Sequence, residues 1–136
     1  LEPFTLGLMN TFGKNKLALP GSLRTLKKVA AKTEQDIEKD FDLVMTSVTT
    51  KITPKIGYFS PTLSYEEIAY RAADFASFLP LFNISGSPAI SLPLGVAANG
   101  MPVGVQFAAP YGQDGLLLEL ALELESAQSF RQIYST

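Results

Sequence analysis

Residues 82–110 read FNISGSPAISLPLGVAANGMPVGVQFAAP, and this run decides the fold. Ser85-Gly86-Ser87-Pro88 is a turn, and Ala89 to Leu94 follows as a strand, with Pro93 marking an edge, a bulge or the strand end. Asn99-Gly100 is a strong hairpin signal, because both residues tolerate positive φ. Pro102 to Ala108 supplies the partner strand, in which Val103, Val105 and Phe107 alternate with small or polar neighbours. The run makes a shaped wall with small residues at its rim. It holds no nucleophile paired with a base and no metal cluster.

Downstream, Asp114 is expected to cap a last helix running to about Gln128. Leu116, Leu117, Leu118, Leu120, Leu122 and Leu124 spread round most of its circumference, leaving Glu119, Glu123 and Ser126 as a narrow polar stripe. A helix this apolar is expected to pack on a sheet and to touch a second partner as well.

Upstream, Ser64-Tyr65-Glu66-Glu67 is a capping box. It opens a helix carrying Ile68, Ala69, Ala72, Phe75, Ala76 and Leu79 on its apolar side, which Pro80 is expected to limit. Residues 49–63 hold Pro54, Gly57 and Pro61 and read as a long loop of the kind that often carries function. Asp42 to Val48 is a short β-branched apolar run, read as a buried parallel strand. A helix is expected after Pro20-Gly21 with Ser22 as N-cap, with Leu23, Leu26, Val29, Ala30 and Ile37 recurring at helical spacing opposite a charged face. Residues 4–12 make one or two helical turns closed by Gly13. The predicted order α-α-β-α-β-β-α is an α/β layer structure, a mixed β-sheet flanked by helices. Three strands are few for a complete sheet, so the chain reads as the edge of a larger one.

Composition narrows the function. The 136 residues suit one domain with a real core, and 46% are hydrophobic. A mean hydropathy of +0.17 leaves room for apolar surface that another body covers. The formal net charge of −2 argues against nucleic acid as a partner. Basic residues cluster at Lys14, Lys16, Arg24, Lys27 and Lys28, but Glu34, Asp36 and Glu38 follow at once, as on a solvated helix face. Without cysteine there is no disulfide, thiol nucleophile or zinc-thiolate site, which suits a reducing compartment, and the expected location is cytoplasmic. Without histidine no Ser-His-Asp triad can be completed within these residues. No stretch of 18 or more apolar residues is present, so no membrane partner is expected. LEPFTLGLMN lacks the basic region and apolar core of a secretory leader. A start at Leu1, inside what reads as a helix, is expected of a piece of a longer chain.

Ser85 or Ser87 could act as a nucleophile only with a lysine base, and no lysine lies beyond Lys55. Glu66 and Glu67 suit a helix cap, and Glu119 and Glu123 a solvated stripe. The glycines follow no phosphate-binding pattern. Asn83 can bond a neighbouring loop or line a pocket with Phe78 and Phe82, and Gln106 has the same two readings. No catalytic residue, metal site or cofactor is expected within these residues.

FDLVMTSVTT (41–50), FNISGSPAISLPLG (82–95) and NGMPVGVQFAAP (99–110), followed by a leucine-rich helix, together resemble the C-terminal part of the amidase signature family. The resemblance runs in order from about Leu1 to Phe130. It implies an α/β/α fold and hydrolysis of an amide through an acyl-enzyme, formed by a serine activated by a cis-serine and a lysine. Those residues belong to an N-terminal portion, which becomes the expected partner, and residues 1–136 become the C-terminal portion of an amidase domain. The implied substrate-binding residues are Phe78, Leu79, Phe82 and Asn83, with Ile56 to Phe59 beside them. The expected substrate is a small-molecule amide, and dimer contacts that would make a homodimer are a further expectation. Two departures stand out: Ser47 replaces the family's strand-end proline, and Asp74 lies slightly early for the acidic residue of the glutamine-dependent amidotransferase branch. KIGYFSPT looks closer to the general amidases, including those acting on aminohexanoate amides. The alternatives are a free-standing, non-catalytic α/β binding module and a fragment of an amidotransferase A subunit.

Overall fold

The computed structural model describes residues 2–130. Its elements are α1 (Pro3–Lys14), a short 3-10 turn (Lys16–Ala18), α2 (Leu19–Asp40), β1 (Val44–Ser47), α3 (Tyr65–Phe75), α4 (Leu79–Ser85), β2 (Ala89–Val96), β3 (Pro102–Ala108) and α5 (Asp114–Ala127). The fold is α/β, with helices on both faces of a three-stranded sheet ordered β1-β3-β2. No helix of the described residues is long and apolar enough to cross a membrane.

The hairpin forms where its sequence places it. β2 pairs antiparallel with β3 from Ala89↔Ala108 to Val96↔Pro102, and the register slips between Leu92 and Gly95. Pro93 sits at the slip, where its missing N–H breaks the ladder. Gly100 alone takes the left-handed conformation, at φ +82°, while Asn99 keeps negative φ. The Asn99 side chain instead accepts the Met101 N–H at 3.2 Å.

β1 corrects the parallel reading of Asp42 to Val48. It runs antiparallel to β3, from Val44↔Ala108 to Ser47↔Val105. Within the described residues it is an outer strand of the sheet, and Met45 is 68% exposed. A short apolar run carries no information on strand direction, which the chain's path through the layers fixes.

Helix ends account for the remaining differences. α2 begins at Leu19, with Pro20 in its first turn, where a missing N–H costs nothing. Ser22 therefore lies inside the helix and donates to the Ala18 carbonyl at 3.1 Å, so it is not the N-cap. α1 passes through Gly13 and stops at Asn15, whose side chain donates to the Thr11 carbonyl at 2.9 Å. Ser64 does cap α3, accepting the Glu67 N–H at 3.1 Å. The reciprocal half of the box is replaced by an ion pair, because the Glu67 carboxylate takes the Arg71 guanidinium. Pro80 opens α4 where it was expected to end α3, for the same reason that Pro20 opens α2. Asp114 is the first residue of α5 and makes no cap hydrogen bond; its charge faces the positive end of the helix dipole.

Successive residues of a strand point to opposite faces, and β3 uses both. Phe107 joins Leu92, Ala109 and Leu117 in a core beneath α5, completed by Ile90, Leu94 and Val105. Ala108 faces the other way and meets Ile37 of α2 and Phe82 of α4, with Val44 beside them. α1 docks on α3 through Phe4 and Tyr65, whose ring centroids lie 5.5 Å apart.

Candidate functional site

The residues of interest lie on a short helix and the loops around it. α4 is brief because Pro80 starts it and Gly86, at φ +79°, stops it. A side chain at Gly86 would strain that left-handed turn, which swings the chain from α4 into β2. Phe78, Leu79, Phe82 and Asn83 therefore occupy a single stretch. Phe82 is buried against Ile37 and Ala108, Leu79 is half-buried, and Phe78 and Asn83 are exposed. Phe82 thus forms the root of the helix, while Phe78 and Asn83 remain accessible.

Below α4 runs a hydrogen-bonded chain that joins three parts of the fold. The Ser85 and Ser87 hydroxyls lie 2.8 Å apart, and Ser87 donates to the Glu34 carboxylate at 2.9 Å. The other oxygen of Glu34 accepts the Tyr111 N–H. One carboxylate of α2 therefore holds the α4–β2 turn and the loop leading into α5. Among the described residues no lysine amine hydrogen-bonds either serine, so the serine-lysine pair that Ser85 or Ser87 would need is not formed among them.

Glu34 had no distinguishing signal in the sequence. It sits in a run of alternating charge, and its partners lie 53 and 77 residues away. Replacing Glu34 by alanine should remove two charge-assisted hydrogen bonds, one from the buried Ser87 hydroxyl and one from the exposed Tyr111 N–H. The expected loss is about 1.5–3 kcal/mol, the worth of hydrogen bonds to a charged group. Urea unfolding of the full-length protein reads it, and a change below about 0.5 kcal/mol, the size of an ordinary surface effect, would refute the tie.

Gln106 is buried in the middle of β3 and donates to the Thr46 hydroxyl at 3.4 Å, so its amide braces β1 and faces no solvent-filled site. Asp74 forms an ion pair with Lys51. The carboxylate raises the Lys51 pKa above its usual value, through the hydrogen bond first and the charge second. Thr50 binds the same helix end, its hydroxyl donating to the Asp74 carbonyl at 2.8 Å. Ile56 to Phe59 lie on the loop so tethered, with Ile56 fully exposed and Phe59 packed edge-on against Phe75 at 5.7 Å. Among the described residues no group of histidine, cysteine, aspartate and glutamate side chains is placed to hold a metal ion.

Comparison with known proteins assigns this geometry to a family. The sequence profile described as Amidase matches residues 14–118. The AmiC protein of Mycobacterium leprae (strain TN), whose name assigns it to the amidases, is 41% identical over 133 residues, covering 98% of this chain and 28% of its own length. The 6-aminohexanoate-cyclic-dimer hydrolase of Paenarthrobacter ureafaciens is 38% identical over 108 residues, covering 75% of this chain and 22% of the hydrolase. A solved structure of 6-aminohexanoate cyclic dimer hydrolase superposes with a TM-score of 0.70 at 38% identity, over 77% of this chain and 23% of that one. The chain thus spans between a fifth and a third of the length of the relatives it matches. An α/β segment with the hairpin, the α4 turn and the leucine-rich helix in the family's order belongs to the amidase family.

Proposed function

We propose that this chain is the C-terminal portion of a larger amidase that hydrolyses a carboxylic amide to the acid and an amine or ammonia. The nucleophile and its base come from the N-terminal portion of the same polypeptide, and the residues described above supply scaffold and one wall of the cleft. Phe78, Leu79 and Asn83 face the substrate, Phe82 supports them from the core side, and Ile56 to Phe59 border them. The observation that carries this reading is the match, at 38% identity and a TM-score of 0.70, to a solved hydrolase. The proposal includes a small-molecule substrate, a homodimer and a cytoplasmic location.

Asn83 makes no side-chain hydrogen bond to another described residue, which leaves its amide available to a substrate amide. Incubating the full-length protein with a panel of linear and cyclic amides should release ammonia or amine. Asn83→Leu should raise KM about tenfold, the worth of one lost hydrogen bond, with a smaller change in kcat. No turnover of any amide would overturn the reading. Ammonia released only from glutamine, and only with partner subunits present, would move the protein to the amidotransferases.

A further inference from the structure

The loop from Pro54 to Pro61 contains no helix or strand, yet it is folded into successive turns. The Tyr58 N–H donates to the Lys55 carbonyl at 3.1 Å, and the Ser60 N–H to the Gly57 carbonyl at 3.0 Å. Gly57 takes φ +94°, a conformation that favours glycine, and leaves Ile56 projecting into solvent. Residues 53–61 line a shallow, mostly apolar hollow of about 430 Å³.

Turns this short do not hold a loop by themselves. Arg71 supplies the missing restraint. Its Nη1 donates to the Tyr58 carbonyl at 2.6 Å, its Nε donates to the Glu67 carboxylate at 2.6 Å, and its guanidinium lies 4.7 Å from the centre of the Tyr58 ring. One planar group thus grips the loop by its backbone and by an aromatic face, while Glu67 fixes the group from α3. The arginine side chain is only 25% exposed, so these bonds are stronger than those of an ordinary surface pair. Phe59 completes the attachment, lying edge-on to both Tyr58 and Phe75.

We propose that Arg71 is a positioning residue: it holds the turn at Ile56 to Phe59 in the one arrangement that presents an apolar wall to the aliphatic part of an amide substrate. This rests on the reading of residues 56–59 as bordering the cleft. Arg71 does not touch substrate, and it acts through the Tyr58 carbonyl and ring. Lysine at this position keeps the charge but loses the fork, so it cannot hold Glu67 and the Tyr58 carbonyl together in the same geometry.

The test uses the full-length enzyme with Arg71→Lys, and reads two quantities. Hydrogen exchange of residues 54–61 should accelerate while that of residues 114–127 stays unchanged, separating a loosened loop from general destabilisation. KM for hexanamide should rise roughly tenfold, the worth of one charge-assisted hydrogen bond, with kcat within about twofold and KM for acetamide nearly unaltered. Ile56→Ser is a second variant whose exposed site does not threaten folding, and it should reproduce the hexanamide effect without loosening the loop. Unchanged exchange at 54–61 in Arg71→Lys overturns the proposal. So does a loosened loop with unchanged KM for both amides. Absence of any turnover in the unsubstituted enzyme would refute the amidase reading instead, and the exchange result would still decide the role of Arg71.

Discussion

Phe82→Ala is expected to destabilise the full-length protein by about 3–5 kcal/mol, the range for removing a buried aromatic ring. Phe82 is 6% exposed and meets Ile37 of α2, Ala108 of β3 and, through Ala108, Val44 of β1. Alanine would leave a hole between two helices and a sheet, and none of those elements can close on it alone. α2 is long and held elsewhere, and the β3 backbone is fixed by ladders on both sides. α4 is the weak party, with seven residues and no side-chain cap. It is expected to loosen first, carrying Phe78 and Asn83 out of place. Activity should therefore fall at temperatures well below the global unfolding midpoint. Thermal unfolding followed together with amide turnover checks both parts. A loss below about 1 kcal/mol would mean that the site collapses freely and that Phe82 does not anchor the helix.

Leu117→Ala should be costly in the full-length protein, and the cost of Leu118→Ala depends on whether the rest of the polypeptide covers α5. Leu117 is buried with Leu92, Phe107 and Ala109, and its truncation should cost about 2–5 kcal/mol. Leu118 is 59% exposed and Leu122, one turn later on the same stripe, 64% exposed within this chain. By the exposure seen here, Leu118→Ala should cost no more than about 0.5 kcal/mol. If the rest of the polypeptide covers this stripe, as the proposed function requires, the cost rises above about 1 kcal/mol. Urea unfolding of the two variants separates the cases. A surface-sized effect at Leu118 would place the second face of α5 in solvent and remove one argument for the larger sheet.

The hairpin was legible because its determinants are local. Pro93, Gly100 and the alternation through Val103, Val105 and Phe107 each act over a few residues, and β3 has the bounds its sequence indicated. The prolines at 20 and 80 misled the reading of helix ends because the same residue opens one helix and terminates another. Which role it plays depends on what the preceding turn packs against. β1 was recognisable as a strand, but its direction was not.

The site divides along the same line. The proposed substrate-facing residues Phe78, Leu79, Phe82 and Asn83 come from resemblance, and they fall together on α4 and just before it. Their exposures were not legible: neighbours on one helix differ because Phe82 points at the α2–β3 core while Asn83 points away. Glu34 and Arg71 gave no signal at all. Each looked like one more charge on a helix face, and each acquires a role through a partner 13 to 77 residues distant.

From the sequence alone came the α/β class, the hairpin from Ala89 to Ala108, the leucine-rich last helix and the lack of histidine and cysteine among these residues. These follow from period, turn chemistry and composition, which are properties of short windows or of the whole chain summed. Tertiary structure alone decided the antiparallel placement of β1, the opening of α4 at Pro80, the burial of Phe82, the Glu34 tie and the Arg71 clamp. Each is a meeting of groups far apart along the chain, and only the packing of helices on the two faces of the sheet brings them within bonding distance.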